Sequence, residues 1–139
     1  MESSEELVLG IDLGTSNSCV GVMINGKVEV FADENGDRIQ PSVVHFGEDG
    51  TITVGRKAKD HQIIAPERTV FSAKRLIGRK NFSAEVKKAR AVCPYEIIEG
   101  PNRSVLVQVA DTKYTLQEIS AFILKRMREI AEAKIGRSI

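Results

Sequence analysis

Tryptophan is absent from this sequence of 139 residues, and all aromatic residues together make up only 5% of it. Cysteine occurs twice, at Cys19 and Cys93, and neither residue belongs to a CxxC motif or a Cys/His cluster. This spacing argues against a zinc site and predicts two buried or half-buried thiols. Long apolar runs are also missing, because none approaches the roughly 20 residues that cross a bilayer as a helix.

Neither sign of charge is in excess, since 20 Lys and Arg residues are balanced by 19 Asp and Glu residues and the net charge is +1. Nucleic-acid binding requires a concentrated basic surface, which this composition does not predict. The balance also argues against adhesion to a membrane. The N-terminal MESSEEL is acidic, whereas a signal peptide is basic and then apolar. We therefore expect a cytoplasmic protein of one domain, with no nucleic-acid or membrane partner.

The stretch LVLGIDLGTSNSC, at residues 7–19, is an apolar run that ends in Asp12 and a polar turn. Gly14 allows the chain to turn and a ligand to approach the backbone closely. The N–H groups and short side chains that follow can converge on a volume that suits phosphate, with Asp12 placed to hold a hydrated Mg²⁺. The simpler alternative is an Asx-turn that only reverses the chain. The short polar side chains are Thr15, Ser16, Asn17 and Ser18.

Two familiar nucleotide-binding motifs can be excluded. The segment GVMINGK, at residues 21–27, has the glycine and lysine spacing of a P-loop, but Val28 stands where a magnesium-binding Ser or Thr is required. The segment also has the pattern of a hairpin and not of a strand that runs into a helix. No GxGxxG occurs, so the dinucleotide-binding fingerprint is absent as well.

The first thirty-odd residues predict three antiparallel strands. They cover residues 7–11, 19–24 and 27–31, and Asn25 and Gly26 form a favoured hairpin turn between the second and the third. The first two strands are continuously apolar, which predicts that helices cover this sheet on both faces.

The middle of the chain alternates between short strands and short helices. A second hairpin is predicted at residues 43–46 and 51–54, and three later strands at 95–98, 104–109 and 113–115. Helices are predicted at residues 56–64, over TVFSAKRLIGR at 69–79 with Thr69 as its cap, and at 84–91 after Ser83.

The clearest helix comes last. Thr115 and Glu118 form a capping box, and Gly136 is a natural C-cap. One face of this helix should lie on the first sheet. The residues that recur at helical spacing on that face are Leu116, Ile119, Ile123, Met127, Ile130 and Lys134.

Five blocks in this order carry a family resemblance. They are GIDLGTSNSCVGV, NGDRIQPSVVHF, VGRKAKD, ERTVFSAKRLIGRK and TLQEISAFILKRMREIAE. Together they resemble the start of the N-terminal ATPase domain of the 70-kDa heat-shock chaperones, and the bacterial (DnaK-type) members most closely. The resemblance implies an α/β chain with the actin/hexokinase-like (ribonuclease H-like) fold, of which it covers the first lobe only. It further implies a partial nucleotide-binding domain over 1–139, with an inner, sheet-bearing subdomain at 1–38 and 115–139. A small α+β subdomain at 39–114 would be inserted beside a mixed sheet.

The resemblance also implies roles for six residues. Asp12 matches the acid that orients hydrated Mg²⁺, and Lys74 matches the lysine that helps to hold the attacking water and the γ-phosphate. Without the resemblance, Lys74 would be interpreted as a solvated side chain. The residues that match the first phosphate loop for ATP or ADP are Gly14, Thr15, Ser16 and Asn17.

The function implied is that of a lobe of an ATP-dependent chaperone, which hydrolyses ATP to drive the binding and release of unfolded polypeptides. Its partners would include a J-domain co-chaperone and a nucleotide-exchange factor. For this chain alone we expect weak nucleotide binding and no turnover. Two alternatives are a non-catalytic module that self-associates or resembles actin, and a small-molecule kinase of the same superfold.

Overall fold

The computed structural model describes residues 8–24 and 26–138. Three 3₁₀ turns occur, at Pro66–Arg68, Ala73–Leu76 and Pro101–Arg103. The helices are α1 (Arg56–Ile64), α2 (Ala84–Val92) and α3 (Leu116–Ile135). The strands are β1 (Leu9–Leu13), β2 (Asn17–Ile24), β3 (Lys27–Val30), β4 (Gln40–Pro41), β5 (Val43–Phe46), β6 (Ile52–Val54), β7 (Thr69–Phe71), β8 (Glu96–Glu99), β9 (Val105–Val109) and β10 (Thr112–Thr115).

The first four strands form the inner sheet, in the order β1-β2-β3 with β4 paired to β2. The three predicted antiparallel strands are confirmed, although β1 extends to Leu13 and so includes Asp12. Of the predicted hairpin turn, Gly26 has φ 77°, as this turn requires, and Asn25 lies outside the described residues.

The inner sheet is covered on one face only, which corrects the prediction that helices lie on both. Val20 and Val22 are buried against α3, at 1% exposure each. On the opposite face, hereafter the open face, Met23 and Val28 are 60% and 69% exposed. The middle of the chain folds into sheets of its own, so α3 covers β1 and β2, while α1 contacts this sheet at β4.

Two further sheets occupy the middle of the chain. The middle sheet has the order β6-β5-β7 and the outer sheet the order β10-β9-β8. Every pairing among the described strands is antiparallel, so the mixed sheet that the family resemblance implied is not seen in this part of the chain. The hairpin β5–β6, the helix α1 and the three strands of the outer sheet were all predicted.

The helix predicted over residues 69–79 is wrong in its first half. Thr69–Phe71 forms β7 and pairs with β5, and only Ala73–Leu76 is helical, as a 3₁₀ turn. Thr69 and Val70 are β-branched and fully buried in the middle sheet, so tertiary pairing decides their conformation. Ser72, with φ 56°, separates strand from turn.

The helix α3 connects two hydrophobic cores. It begins at the predicted capping box of Thr115 and Glu118 and ends at Gly136, with φ 81°. Its first half, including Ile119 and Ile123, belongs to the larger core, which it shares with the middle and outer sheets. Only its second half packs on the inner sheet, through Met127, Ile130 and Ala131.

The two cysteines, Cys19 and Cys93, are half-buried free thiols, as predicted. Within the ranges 8–24 and 26–138, no helix has both the length and the apolar character that a membrane span requires.

Candidate functional site

Strand β1 carries Asp12 to the open face of the inner sheet. Asp12 pairs with Cys19 on β2. The next pair on the same face of the sheet is Gly10 with Gly21. Because these two glycines have no side chains, a shallow groove lies beside Asp12. Asp12 and Met23 both line this groove. The Asp12 carboxylate is therefore exposed to solvent at the point where the strand ends.

The turn after Leu13 is very tight. A Cβ atom on Gly14 would lie 2.2 Å from the carbonyl oxygen of Asn17, closer than any real contact. Glycine is therefore required here by the close approach of two backbone segments, whereas the sequence predicted the close approach of a ligand.

Ser42 fixes this turn from the opposite side. Its hydroxyl donates a hydrogen bond to the Gly14 carbonyl at 2.8 Å, and its N–H donates one to the Ser16 carbonyl at 2.8 Å. Ser18 Oγ lies 2.8 Å from Ser42 Oγ. Because the Ser42 proton is used on Gly14, Ser18 must be the donor in that contact. Both serines are buried, so the backbone of the turn is held rigidly.

Neither the role of Ser42 nor the strand that delivers it was predicted from the sequence. β4 has only two residues, Gln40 and Pro41, which pair with Ser18 and Asn17. A two-residue strand shows no periodicity, and Pro41 in it would argue against a strand. The polar stretch at residues 33–37 gives way to the apolar run of β5, and this change was the one available signal of a structural element between them.

The loop before β4 is held by a buried carboxylate. Asp33 is 7% exposed, and its Oδ1 accepts from the N–H groups of Asn35 and Asp37 at 2.9 and 2.8 Å. Gln40 Nε2 donates to Asp33 Oδ2 at 3.2 Å. Burial alone would raise the pKa of Asp33, but these hydrogen bonds and the charge of Arg126 outweigh it and lower the pKa.

The structure brings Lys74 to the turn from a distant part of the chain. Its Nζ donates a hydrogen bond to the Leu13 carbonyl, between Asp12 and Gly14. Lys74 stands in the 3₁₀ turn Ala73–Leu76, which Ala73 and Leu76 anchor in the larger core. The ammonium group is thus placed at the turn by packing, although the residue itself is exposed.

Three of the six predicted residues line two separate spaces, and Lys74 lines neither of them. Thr15 and Ser16 line a cleft of about 140 Å³, together with Ser42, Lys59 and Ser72. Asp12 lines the groove of the open face instead. Gly14 and Asn17 form the backbone of the turn between them.

This arrangement fits an anion at the turn and a hydrated cation beside it. Hydroxyl groups, backbone N–H groups and the Lys74 ammonium are donors suited to phosphate. Nowhere in the described part of the chain do three His, Cys, Asp or Glu side chains form a metal cluster. Asp12 is the one carboxylate among the described residues that line the groove. A single carboxylate suits Mg²⁺, because this ion keeps most of its waters and takes one or two carboxylates.

The sequence matches the protein-family model described as Hsp70 protein, over residues 8–139. The matched region contains Asp12, the turn at residues 14–17 and Lys74, together with every strand and helix described above.

Proposed function

This chain belongs to the Hsp70 family, and from that premise we propose that Asp12, the Gly14–Asn17 turn and Lys74 form one wall of a site for Mg²⁺ and ATP. The family has the actin/hexokinase-like ATPase fold, and its full-length members bind nucleotide and magnesium. The mixture of α-helices and antiparallel sheets described here is consistent with part of one lobe of that fold.

The contact between Lys74 and Leu13 is the observation that carries the proposal. Sixty-one residues separate the two, yet the ammonium group donates to the backbone beside Asp12. A lysine that served only solubility would extend into water and away from a polar turn. Its position supports a role in neutralising phosphate charge.

The roles follow from what phosphoryl transfer requires. Catalysis of this reaction depends on positioning and on neutralising charge at the phosphate oxygens, and a bound Mg²⁺ would supply part of that charge. The N–H groups and hydroxyls of Thr15 and Ser16 would bind phosphate oxygens. Asp12 would hold waters of the metal, and Lys74 would act on the terminal phosphate and the attacking water.

The wider function proposed is that of an ATP-driven chaperone of the bacterial, DnaK-like type, located in the cytoplasm. ATP hydrolysis would drive the binding and release of unfolded polypeptides, with a J-domain co-chaperone and a nucleotide-exchange factor as partners. Residues 1–38 and 115–139 would form the inner subdomain and 39–114 the outer one. With one wall of the site, this chain alone should bind nucleotide weakly and show no turnover.

Calorimetric titration of the chain with Mg²⁺-ATP tests the site. We expect weak, saturable binding that falls at least about tenfold in Asp12→Asn and in Lys74→Ala, the effect of losing one charged contact. Asp111→Asn and Lys80→Ala are matched controls, because both residues are exposed and lie outside the proposed site. Unchanged affinity in Asp12→Asn and Lys74→Ala, or no binding up to millimolar nucleotide, would contradict the proposal.

The open face favours a second candidate function, self-association without catalysis. Val8, Met23 and Val28 are 64%, 60% and 69% exposed on one sheet face, and such apolar patches often mark an interface. Sedimentation that depends on protein concentration but not on ATP would support it. Met23→Glu should then restore the monomer, and a monomer at every concentration would exclude it.

A further inference from the structure

His45 and His61 form a stacked pair between the middle sheet and α1. Their ring centroids lie 4.0 Å apart with an interplanar angle of 19°. His45, on β5, is buried at 7% exposure, and His61, on α1, is half-buried. They are the two histidines of the sequence, and neither has a part in the proposed nucleotide site.

The hydrogen bonds fix the tautomer of each neutral ring. Thr69 Oγ1 donates to the Ala65 carbonyl at 2.8 Å, so it can only accept from His45 Nδ1, 3.0 Å away. His61 Nδ1 lies 2.7 Å from the Lys57 carbonyl, which is an acceptor only. Both rings therefore carry their proton on Nδ1, and acid would add the next proton to Nε2.

The surroundings of His45 disfavour its protonation. Burial lowers the pKa of His45, and the positive charges of His61 and Arg68 lower it further, while Asp49 acts in the opposite direction. Arg68 lies close, because its Nη1 donates to the carbonyl of Phe46, the next residue on β5. The other face of β5, with Val44 and Phe46, packs into the larger core. The charged groups that act on His45 are thus Arg68, His61 when it is protonated, and the carboxylate of Asp49.

We propose that the His45–His61 pair is a pH switch, in which protonation of both rings places two positive charges in contact and loosens α1 from the middle sheet. Between the lowered pKa of His45 and the ordinary value of about 6.5, the folded state binds fewer protons than the unfolded state. Stability is therefore complete above about pH 6.5 and is lost as the pH falls from that value toward the lowered pKa of His45.

The histidine pair is connected to the candidate site along the chain, through the strands β5 and β7. β5, which carries His45, begins directly after Ser42, whose hydroxyl binds the Gly14 carbonyl. β7, which carries Thr69, leads into the 3₁₀ turn of Lys74. Loosening of this region displaces two of the groups that hold the turn. The effect on nucleotide binding rests on the proposed function, whereas the switch itself does not.

Nuclear magnetic resonance of the two histidine rings tests the pair directly. We expect Nδ1–H tautomers for both rings at neutral pH. In His61→Phe, which keeps an aromatic stack without a charge, the pKa of His45 should rise. Nε2–H tautomers, or a His45 curve unchanged in this variant, would overturn the proposal.

A fixed charge gives an independent test. His61→Lys imitates the protonated ring and should raise the equilibrium constant for unfolding at pH 7.5 about tenfold, the effect of one pKa unit. Ile63→Lys is the matched control, since it adds the same charge to α1 at a side chain that is 90% exposed. Equal effects of the two substitutions would overturn the proposal.

The connection to the site is tested by the amide signals of Gly14 and Thr15. They should shift in step with the histidine titration in the natural chain and remain still in His61→Phe. Histidine titration without any movement of these amides would overturn the connection. If Mg²⁺-ATP fails to bind at any pH while the amides still follow the histidines, the proposed function fails and the switch stands.

Discussion

The inner sheet and the middle of the chain differ in how completely they are covered. The middle and outer sheets share the larger core with the first half of α3, and Val44, Val70 and Val107 in it are fully buried. The inner sheet has a smaller core on one face, around Val20 and Met127, and an exposed apolar face on the other. The proposed magnesium ligand lies on the less covered region, and the lysine comes from the better packed one.

This comparison indicates a division of roles. The well-packed region fixes the positions of Ser42 and Lys74, and these two residues in turn fix the tight turn at the end of β1. The inner sheet contributes an accessible backbone and an exposed carboxylate. Rigid support beneath an open surface is what a binding site needs.

The strongest test of the comparison is a truncation in each core. Ile119→Ala in the larger core and Met127→Ala in the smaller one should each cost about 2–5 kcal/mol, because both side chains are buried. We expect Met127→Ala to accelerate amide hydrogen exchange mainly in β1–β3, and Ile119→Ala to do so in all sheets. Circular dichroism in urea gives the totals, since the sequence offers no tryptophan signal. Identical exchange patterns would show that the two regions unfold as one.

The tight turn can be tested by comparing Gly14 in the turn with Gly10 in the strand β1. Gly14→Ala should cost about 1–3 kcal/mol, because the new Cβ would lie 2.2 Å from the Asn17 carbonyl oxygen and strain the backbone. Gly10→Ala should change stability by less than about 0.5 kcal/mol, since nothing lies within 4 Å of a Cβ there. Urea unfolding of both variants measures the difference, and equal losses would contradict this description of the turn.

The loop between β3 and β4 should be sensitive to acid. The pKa of Asp33 is lowered, so its carboxylate stabilises the fold above the ordinary range of an aspartate, and this stabilisation is lost as the pH falls through the lowered pKa. Asp33→Asn should cost about 1–2 kcal/mol at neutral pH, through its hydrogen bonds to Asn35 and Asp37. The difference between variant and natural chain should shrink as the pH falls from about 5 through the ordinary aspartate value of 3.8 toward the lowered pKa of Asp33. A constant difference would refute the linkage.

The smallest effect is expected at the start of α3, where the larger core begins. Thr115→Ala removes the side chain that accepts from the Glu118 N–H at 3.0 Å and should cost about 1 kcal/mol. Thr112→Ala serves as the control, because Thr112 is an exposed strand residue. Thermal unfolding would show a loss for Thr115→Ala alone, and equal changes would mean that the cap contributes nothing.

Local patterns in the sequence predicted those parts of the fold that local interactions decide. The hairpins, α1 and the capping box of α3 depend on neighbouring residues. β7 could not be predicted, because Thr69 is buried by pairing with the distant strand β5. The open face was predicted wrongly for a similar reason, since an apolar run does not indicate how many partners are available to it.

The same distinction between local and distant interactions applies to the residues of the candidate site. Asp12 and Gly14 were found from the order of residues in one strand and one turn. Lys74 needed the family resemblance, because its contact with Leu13 joins two distant segments. Ser42 and the His45–His61 pair were missed, since no local pattern marks a hydroxyl or a ring whose partner lies elsewhere.

The position of α3 has a consequence for the order of folding. Val20 and Val22 are buried by Met127 and Ile130, about 100 residues later in the chain. During synthesis from the N-terminus, the inner sheet can form its hairpins early but gains its cover only when α3 emerges. Until then both of its apolar faces are exposed to solvent. The strand with the proposed magnesium ligand, made well before α3, is therefore stabilised only when α3 is complete.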